Sequence, residues 1–173
     1  MVVRDFTERN TGMWSDVLSL LENDAKLTSE DIAVRLGVSV GEVNEVIKKL
    51  EEEQIICGYG TFINWSKTDN ALITALIEVK VTPARGSGFN NIAERIYRFD
   101  EVKALYLMSG NYDLAVIIEG KSLEEVASFV SDKLATMESI VSTATHFVLR
   151  KYKDHGVIFD EKGEEAERMI VSP

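Results

Sequence analysis

Residues 28–54, TSEDIAVRLGVSVGEVNEVIKKLEEEQ, decide the fold of the N-terminal part of the chain. Thr28 or Ser29 can cap one helix and Ser39 the next, and an acidic residue follows both Thr28 and Ser39 three positions later, as in a capping box. Gly37 suits the end of the first of these helices, because glycine readily adopts a positive φ. The stretch therefore predicts two short helices joined by a tight turn, which is the arrangement of a helix-turn-helix unit.

Three apolar stripes at helical spacing extend this prediction over residues 14–50. The first stripe precedes the quoted stretch and indicates a further helix that ends near Asn23-Asp24. The stripe residues are Trp14, Val17, Leu18 and Leu21, then Ile32, Ala33 and Leu36, then Val43, Val46, Ile47 and Leu50. Such a set predicts a three-helix winged or simple helix-turn-helix domain, whose last helix enters the major groove of DNA.

The last of these helices carries polar side chains opposite its apolar stripe, so it is the candidate reading helix. Asn44 has the donor and acceptor pair that can bind adenine, and Lys48 can reach guanine or a phosphate. Lys49 and Arg35 are candidate phosphate contacts, and Ser39 at the helix start completes the predicted DNA-binding set. The predicted partner is double-stranded DNA.

The charge of the chain opposes this interpretation. The net charge is -10 at pH 7, and residues 1–67 hold 7 Lys/Arg against 12 Asp/Glu, a net of -5. Nucleic-acid binders usually present basic surfaces, because neutralising phosphates supplies most of the non-specific affinity. Glu45 on the reading face can only accept hydrogen bonds, so it favours a cytosine amino group and repels phosphates. The alternative is a ligand-sensing or protein-interaction module that does not bind DNA.

The composition predicts a soluble protein of one or two small domains, with 45% hydrophobic residues in 173. No apolar run approaches the roughly 20 residues that span a bilayer. The N-terminus, MVVRDFTERN, lacks the apolar core of a secretory signal, and the single Cys57 fits a reducing compartment. We therefore expect a cytoplasmic protein with no membrane partner.

The C-terminal half predicts the order βαββαβ. The predicted strands are Ile73–Val81, Val102–Met108, Leu114–Glu119 and Val141–Leu149. The first predicted helix carries Phe89, Ile92, Ala93 and Ile96, and the second carries Val126, Phe129, Val130 and Leu134 after a Ser122–Glu125 capping box. Two such βαβ halves form an antiparallel four-stranded sheet with both helices on one face, so the predicted fold class is α+β with a ferredoxin-like second domain.

A sheet with both helices on one face leaves its other face open. The residues predicted for that face are apolar or aromatic, namely Ile77, Leu105 or Tyr106, Ile117 and Phe147. Because a second copy of the domain is the simplest cover for such a face, the sequence predicts a homodimer.

Together, the three-helix unit and the βαββαβ domain resemble the Lrp/AsnC (feast/famine) transcriptional regulators over nearly all of residues 14–153. The motifs that carry the resemblance are IAVRLGVS at 32–39, KKLEEEQIICGY at 48–59, SGNYDL at 109–114 and TATHFVLRKYK at 143–153. The resemblance implies dimers that assemble further into tetramers or octamers. It also implies a helix-turn-helix domain at 1–56, a hairpin linker at 57–72, an effector-binding and dimerisation (RAM) domain at 73–153, and an acidic extension at 154–173.

The resemblance further implies a small effector, usually an amino acid, bound between subunits near the turn that joins the second and third strands. Gly110, Tyr112 and Asp113 match the G-x-Y-D turn of the family, and Thr143 and Thr145 lie on the last strand facing the same region. Asp113 would accept the ammonium group, while backbone N–H groups near Gly110 and the threonine hydroxyls would bind the carboxylate. The alternative is a hairpin in which Asp113 only accepts local backbone hydrogen bonds.

The chain departs from the family pattern at two positions near its reading helix. Val46 stands where the family commonly has an arginine, and Gln54 stands where the family usually has a glycine. Both departures predict weaker operator binding.

The C-terminal extension is unusually long and partly apolar. GVIF at 156–159 predicts a short strand or packing across a partner, and 164–169 is helix-prone and acidic. An intersubunit clasp is preferred to a solvated tail, because the extension contains the apolar residues Val157, Ile158, Phe159, Met169, Ile170 and Val171.

An enzyme is the remaining alternative. The chain has only two histidines, its cysteine has no metal-ligand neighbours, and it contains no P-loop, nucleophile elbow or dinucleotide fingerprint. Some relatives of the family, the sirohaem decarboxylases, use the same two-domain architecture with histidines, and His146 lies on the last predicted strand. A lone strand histidine is more often packed than catalytic, so we expect a regulator with no metal and no cofactor besides its effector.

Overall fold

The computed structural model describes residues 3–82 and 88–159, with side chains from residue 12 onward. The chain divides into two compact units, Met1–Phe62 and Ile63–Pro173. This division falls inside the predicted linker 57–72, which contains a 3₁₀ turn at Trp65–Lys67 and no strand. The predicted hairpin is therefore wrong for the single subunit. A two-stranded hairpin is marginal in water without further packing, and Tyr59 and Phe62 are half exposed in this segment.

The first unit is the predicted three-helix domain. Its helices are α1 (Val3–Asn23), α2 (Ser29–Leu36) and α3 (Val40–Glu52). Both predicted capping boxes are formed, with Thr28 and Ser39 each accepting a hydrogen bond from the backbone three residues on. Gly37 has φ 67°, which confirms its role as the left-handed end of α2. Helix α1 begins well before the stripe that predicted it.

The predicted stripes meet in one core. Its buried residues are Val17, Leu21, Ile32, Ala33, Val43, Val46 and Leu50. Other members of the stripes, including Trp14 and Ile47, pack at its margin. Each fully buried aliphatic side chain contributes roughly 1.5–3 kcal/mol relative to exposure, so this core holds α2 and α3 at their turn.

Gln54 adopts a left-handed backbone conformation, with φ 56°, two residues after the end of α3. Because a Cβ disfavours this region by roughly 1–2 kcal/mol, the glycine that the family resemblance predicts here would be the less strained residue. Gln54→Gly is expected to raise the free energy of unfolding of the first unit by about 1 kcal/mol, measured by urea denaturation. Gln54→Ala is the matched control, since it keeps the Cβ and should not stabilise; equal stabilisation by both changes would contradict this explanation.

The second unit has the predicted ferredoxin-like plan. Its main elements are β1 (Ile73–Val81), α4 (Asn90–Tyr97), β2 (Val102–Leu107), β3 (Leu114–Gly120), α5 (Leu123–Ser128, continued by a π-helix at Phe129–Leu134) and β4 (Ile140–Phe147). The strand order β2-β3-β1-β4 is antiparallel throughout. One correction is local: Glu125 accepts from the backbone of Lys121 at 2.6 Å, whereas Ser122 caps α5 by accepting from the backbone of Glu125.

The sheet faces differ from the prediction at Ile77 and Phe147, and of the alternatives Leu105 and Tyr106 it is Tyr106 that lies on the open face. Ile77 is fully buried in the core with the helices, and Leu105 packs against the same core. Phe147 pairs with Ala75, a core residue, and so lies on the helix side of the sheet edge. The strand register instead places on the open face Leu76, Glu78, Tyr106, Ile117, Ala144 and His146. Tyr106 and Ile117 are the predicted residues that remain there.

After β4 the chain forms a small hairpin from β5 (Lys153–Asp154) and β6 (Val157–Ile158), which places a strand in the predicted 156–159 stretch. The predicted helix at 164–169 and the apolar residues Met169, Ile170 and Val171 lie outside the described residues.

Candidate DNA-reading helix and ligand site

Helix α3 presents the predicted polar face on its exposed side. Val43, Val46 and Leu50 are buried, while Asn44 and Lys48 are exposed one turn apart. Lys48 Nζ lies 3.7 Å from Glu52 Oε1, and the two side chains are 74% and 62% exposed. An ion pair this exposed is weak and readily exchanged, so Lys48 can turn to a phosphate or base.

The other predicted DNA contacts flank this face. Arg35 is exposed in the last turn of α2, and Lys49 is exposed in the last turn of α3. Ser39 is at the start of α3, where its hydroxyl donates to Glu42 Oε2 at 2.7 Å. The Ser39 side chain is thus engaged in capping, and a phosphate contact would have to displace Glu42.

The N-terminus of α3 keeps a negative charge. Hydrogen bonds from the backbone N–H and hydroxyl of Ser39 lower the pKa of Glu42. The equivalent bonds from Thr28 lower the pKa of Asp31 at the start of α2. These carboxylates stabilise the helix ends through the dipole, yet they also place anions beside a surface expected to approach DNA.

Val46 is almost fully buried in the core of the first unit. The arginine that the family resemblance predicts at this position would therefore not lie on the exposed face of α3 in this chain. The departure leaves Asn44 and Lys48 exposed as the candidate reading pair.

The predicted effector turn is the loop between β2 and β3. Gly110 has φ 144°, a region that favours glycine. Asp113 Oδ2 accepts from the backbone N–H of Val81 at 2.8 Å, and the backbone N–H of Asp113 donates to Val79 at 3.0 Å. One oxygen of the Asp113 carboxylate therefore ties the turn to β1, which is a long-range bond and not one of the local bonds of the alternative stated above.

Thr143 and Thr145 are on β4, where they pair with Val79 and Ile77 of β1. Both threonines are partly buried. Thr143 and Asp113 thus flank the same end of β1 on opposite neighbouring strands, roughly 10 Å apart at the backbone. Tyr112 is also partly buried beside Asp113. Within one subunit, β1 therefore separates the turn from the last strand.

Two cavities in the second unit avoid these five residues. One, of about 360 Å³, lies between α4 and the edge strand β2, and its lining includes Phe89, Tyr97 and Leu107. A larger cavity, of about 570 Å³, lies at the end of the sheet where β1 starts, away from the Gly110 turn. Its lining includes Trp65, Glu119 and Lys151. Sequence reasoning missed the larger cavity, because segments far apart in the chain form its walls.

His146 lies on the open sheet face, with Nε2 3.4 Å from Glu78 Oε1. Within residues 3–82 and 88–159, no group of three or more His, Cys, Asp or Glu side chains is placed to hold a metal ion. Over the same residues, no helix is long and apolar enough to cross a membrane.

Family comparisons match both units. The family model for the Lrp/AsnC ligand binding domain matches residues 74–158, and that for a winged helix-turn-helix DNA-binding domain matches residues 15–56. An uncharacterized HTH-type transcriptional regulator of Bacillus subtilis, YugG, is 50% identical over 168 residues, covering 96% of this chain and 98% of its own length.

Solved structures share the fold. The leucine response regulatory protein LrpA of Mycobacterium tuberculosis is 19% identical with a TM-score of 0.70, covering 83% of this chain and 94% of its own. The transcriptional regulator NMB0573 of Neisseria meningitidis, solved as a complex with L-Met, is 20% identical with a TM-score of 0.68, covering 82% of this chain and 91% of its own. At these identities the likeness concerns the fold alone.

Proposed function

Because the chain belongs to the Lrp/AsnC family of transcriptional regulators, we propose that it recognises its operator through Asn44 and Lys48 and responds to an amino acid. It is a DNA-binding transcriptional regulator with a helix-turn-helix domain and a ligand-binding domain. The observation that carries the proposed reading mode is the exposed polar face of α3. The opposite face of this helix packs in the three-helix core, and Ser39 caps its start. Phosphate contacts from Arg35 and Lys49 orient this helix, while Asn44 reads a base.

Titration against DNA selected from a random pool by the wild-type protein tests this reading mode. Lys48→Ala is expected to weaken binding to all sequences and to reduce the salt slope by roughly one per subunit. Asn44→Ala should relax base preference at one position, at a cost of roughly 1–3 kcal/mol. Fluorescence anisotropy at several salt concentrations measures both effects.

Lys121→Ala is the matched control, since it removes an exposed lysine from the second unit. Tight binding that survives removal of both Asn44 and Lys48 would reject the proposed docking. A failure to bind DNA at any salt concentration would favour the ligand-sensing alternative.

The working form is a homodimer in the cytoplasm, joined through the open sheet faces. That face combines apolar side chains such as Tyr106 and Ile117 with the Glu78–His146 pair. Pairing two such faces holds two reading helices at a separation set by symmetry, which a palindromic operator would match. Further assembly into tetramers or octamers would bring the effector turns of neighbouring dimers together.

The effector is an amino acid at the Gly110–Asp113 turn, completed by a second subunit. A structural neighbour solved with L-Met supports this class of ligand. The second oxygen of Asp113 would accept the ammonium, and the Thr143 and Thr145 hydroxyls would donate to the carboxylate. The effector would act by binding one assembly more tightly than another, since only differential affinity shifts the equilibrium.

Calorimetric titration with the standard amino acids tests this site. Asp113→Ala is expected to weaken binding at the turn at least tenfold, because it removes the charged acceptor. The same change also removes the Asp113–Val81 hydrogen bond, so Thr143→Val provides a second variant that leaves that bond intact. Unchanged affinity in both variants would show that the effector binds elsewhere.

A further inference from the structure

The chain leaves α3 through a short segment, residues 57–62, which contains no helix or strand and ends the first unit at Phe62. The residues just before this segment are fixed to the helix. The backbone N–H groups of Ile55 and Ile56 both donate to the carbonyl of Leu50, at 2.9 Å and 3.0 Å, and Ile56 also packs against the core of the first unit. Ile56 therefore anchors the segment to the helical core.

Tyr59 bonds the segment back to α3. Its hydroxyl donates to Glu51 Oε1 at 2.9 Å, although Tyr59 is 52% exposed. A hydrogen bond to a carboxylate is stronger than one between two neutral groups. Partial burial, together with the hydrogen bond to Glu51, raises the pKa of the Tyr59 hydroxyl, so the donor keeps its proton at neutral pH.

Glycines flank this tyrosine on both sides, as Gly58 and Gly60. Neither has a positive φ, and a Cβ added at either would meet no atom beyond its chain neighbours within 4 Å. The folded conformation therefore requires glycine at neither position, whereas glycine increases the conformational freedom of a segment. The Tyr59 side chain thus holds in one place a backbone that glycine would otherwise leave free to move.

We propose that the Tyr59–Glu51 bond is a clamp that limits the half-site spacing the protein accepts in its operator, with Tyr59 as a positioning residue. The inference rests on the proposed function, in which two reading helices of a homodimer bind two half-sites. With the bond closed, the chain between the clamp and the end of the first unit is residues 60–62. With the bond open, it is residues 57–62, because Ile56 is the next anchor.

The difference of three residues is large on the scale of DNA. Three extended residues add roughly 10 Å of reach per subunit, at about 3.3 Å each. Two subunits together gain at most about 20 Å, which corresponds to roughly 6 base pairs at about 3.4 Å each. The closed clamp therefore accepts a narrow range of spacings, and the open clamp accepts a wider one.

Operators with altered spacing test the clamp in the full-length protein. Two base pairs inserted between the half-sites move one of them by roughly 7 Å and turn it by roughly 70°. The wild-type protein should bind this duplex at least tenfold more weakly than the duplex of best spacing. Tyr59→Phe should lose less than threefold. Its affinity for a single half-site should equal that of the wild type, because Asn44 and Lys48 are unchanged.

Further variants identify the acceptor and the contribution of the backbone. Glu51→Gln keeps an oxygen acceptor and should retain the narrow range. Gly58→Ala with Gly60→Ala stiffens the segment without a clash, so adding this pair to Tyr59→Phe should narrow the range again. Tyr97→Phe is the matched control, because it removes a hydroxyl from a similarly exposed tyrosine of the second unit, at 56%.

A measurement without DNA separates this inference from the proposed function. A spin label is attached to Glu22→Cys, an exposed position on α1, in a Cys57→Ser background. Serine keeps a donor for the Gln54 carbonyl, which Cys57 contacts at 3.1 Å. Double electron–electron resonance then gives the distribution of distances between the two first units of the dimer.

The distance distribution should be wider for Tyr59→Phe than for the wild type or Tyr97→Phe. An unchanged width, or unchanged discrimination between the two duplexes, would overturn the clamp. If the wild-type protein binds no operator while Tyr59→Phe widens the distribution, the proposed regulatory function fails and the clamp stands.

Discussion

An Ile117→Asp protein is expected to be monomeric and to lose operator binding. Ile117 is on the central strand β3, on the open face, where it pairs laterally with Leu76 and Ala104. A carboxylate there would have to be buried against a second sheet without a partner, and burial of an unpaired charge costs several kcal/mol. Light scattering should then give the mass of one chain, 19.3 kDa, in place of a multiple of it.

The effect on DNA should be larger than the loss of any single contact. Two linked reading helices gain roughly 10²–10⁴-fold in affinity from their effective concentration, and a monomer forfeits that gain. An acidic reading unit with few phosphate contacts depends heavily on this gain.

Leu123→Asp is the matched control for the dimer experiment. It makes the same kind of change at an exposed apolar residue, but at the start of α5 on the helix side of the sheet. An acidic residue is favourable at a helix N-terminus, so this variant should keep the wild-type mass and operator affinity. An Ile117→Asp protein that stays oligomeric and binds DNA normally would place the dimer contact on another surface.

Local signals explain how much of the fold was predictable. The Thr28 and Ser39 caps act over three residues, and the strand ranges follow from alternation, so both could be predicted within a few positions. The face of β1 was misassigned, although its sequence carried the signal. Glu78 and Lys80 share a side with Leu76, and charges mark the face that is not packed against helices.

Long-range features were not predictable in the same way. The pairing of Glu119 with Lys151 joins residues far apart in the chain, and no spacing pattern announces it. For the left-handed backbone of Gln54 the sequence offered one hint, the glycine that the family resemblance predicts there. At the candidate sites, the Asn44–Lys48 face followed from helical period alone, whereas the bond from Val81 to Asp113 required the folded sheet.

A Leu50→Ala protein is expected to lose the fold of its first unit while keeping that of the second. Leu50 is fully buried on α3 and belongs to a core that shares no residue with the core of the second unit. Truncating a buried leucine to alanine costs roughly 2–5 kcal/mol. A helical domain of this size rarely has more than roughly 3–5 kcal/mol of stability, so the loss approaches the total.

Calorimetry should therefore show the transition of the second unit without that of the first, together with a decrease in helical circular dichroism. DNA binding should disappear, because α3 no longer has a core to hold its turn. The oligomer should persist, since the open sheet face belongs to the other unit. Leu50→Met is the control, because a swap that conserves volume usually costs less than about 1.5 kcal/mol and should leave both transitions and DNA binding in place. Simultaneous melting of both units in the Leu50→Ala protein would instead mean that the two cores stabilise each other. An effector bound to the second unit could then act on α3 through this shared stability as well as through geometry.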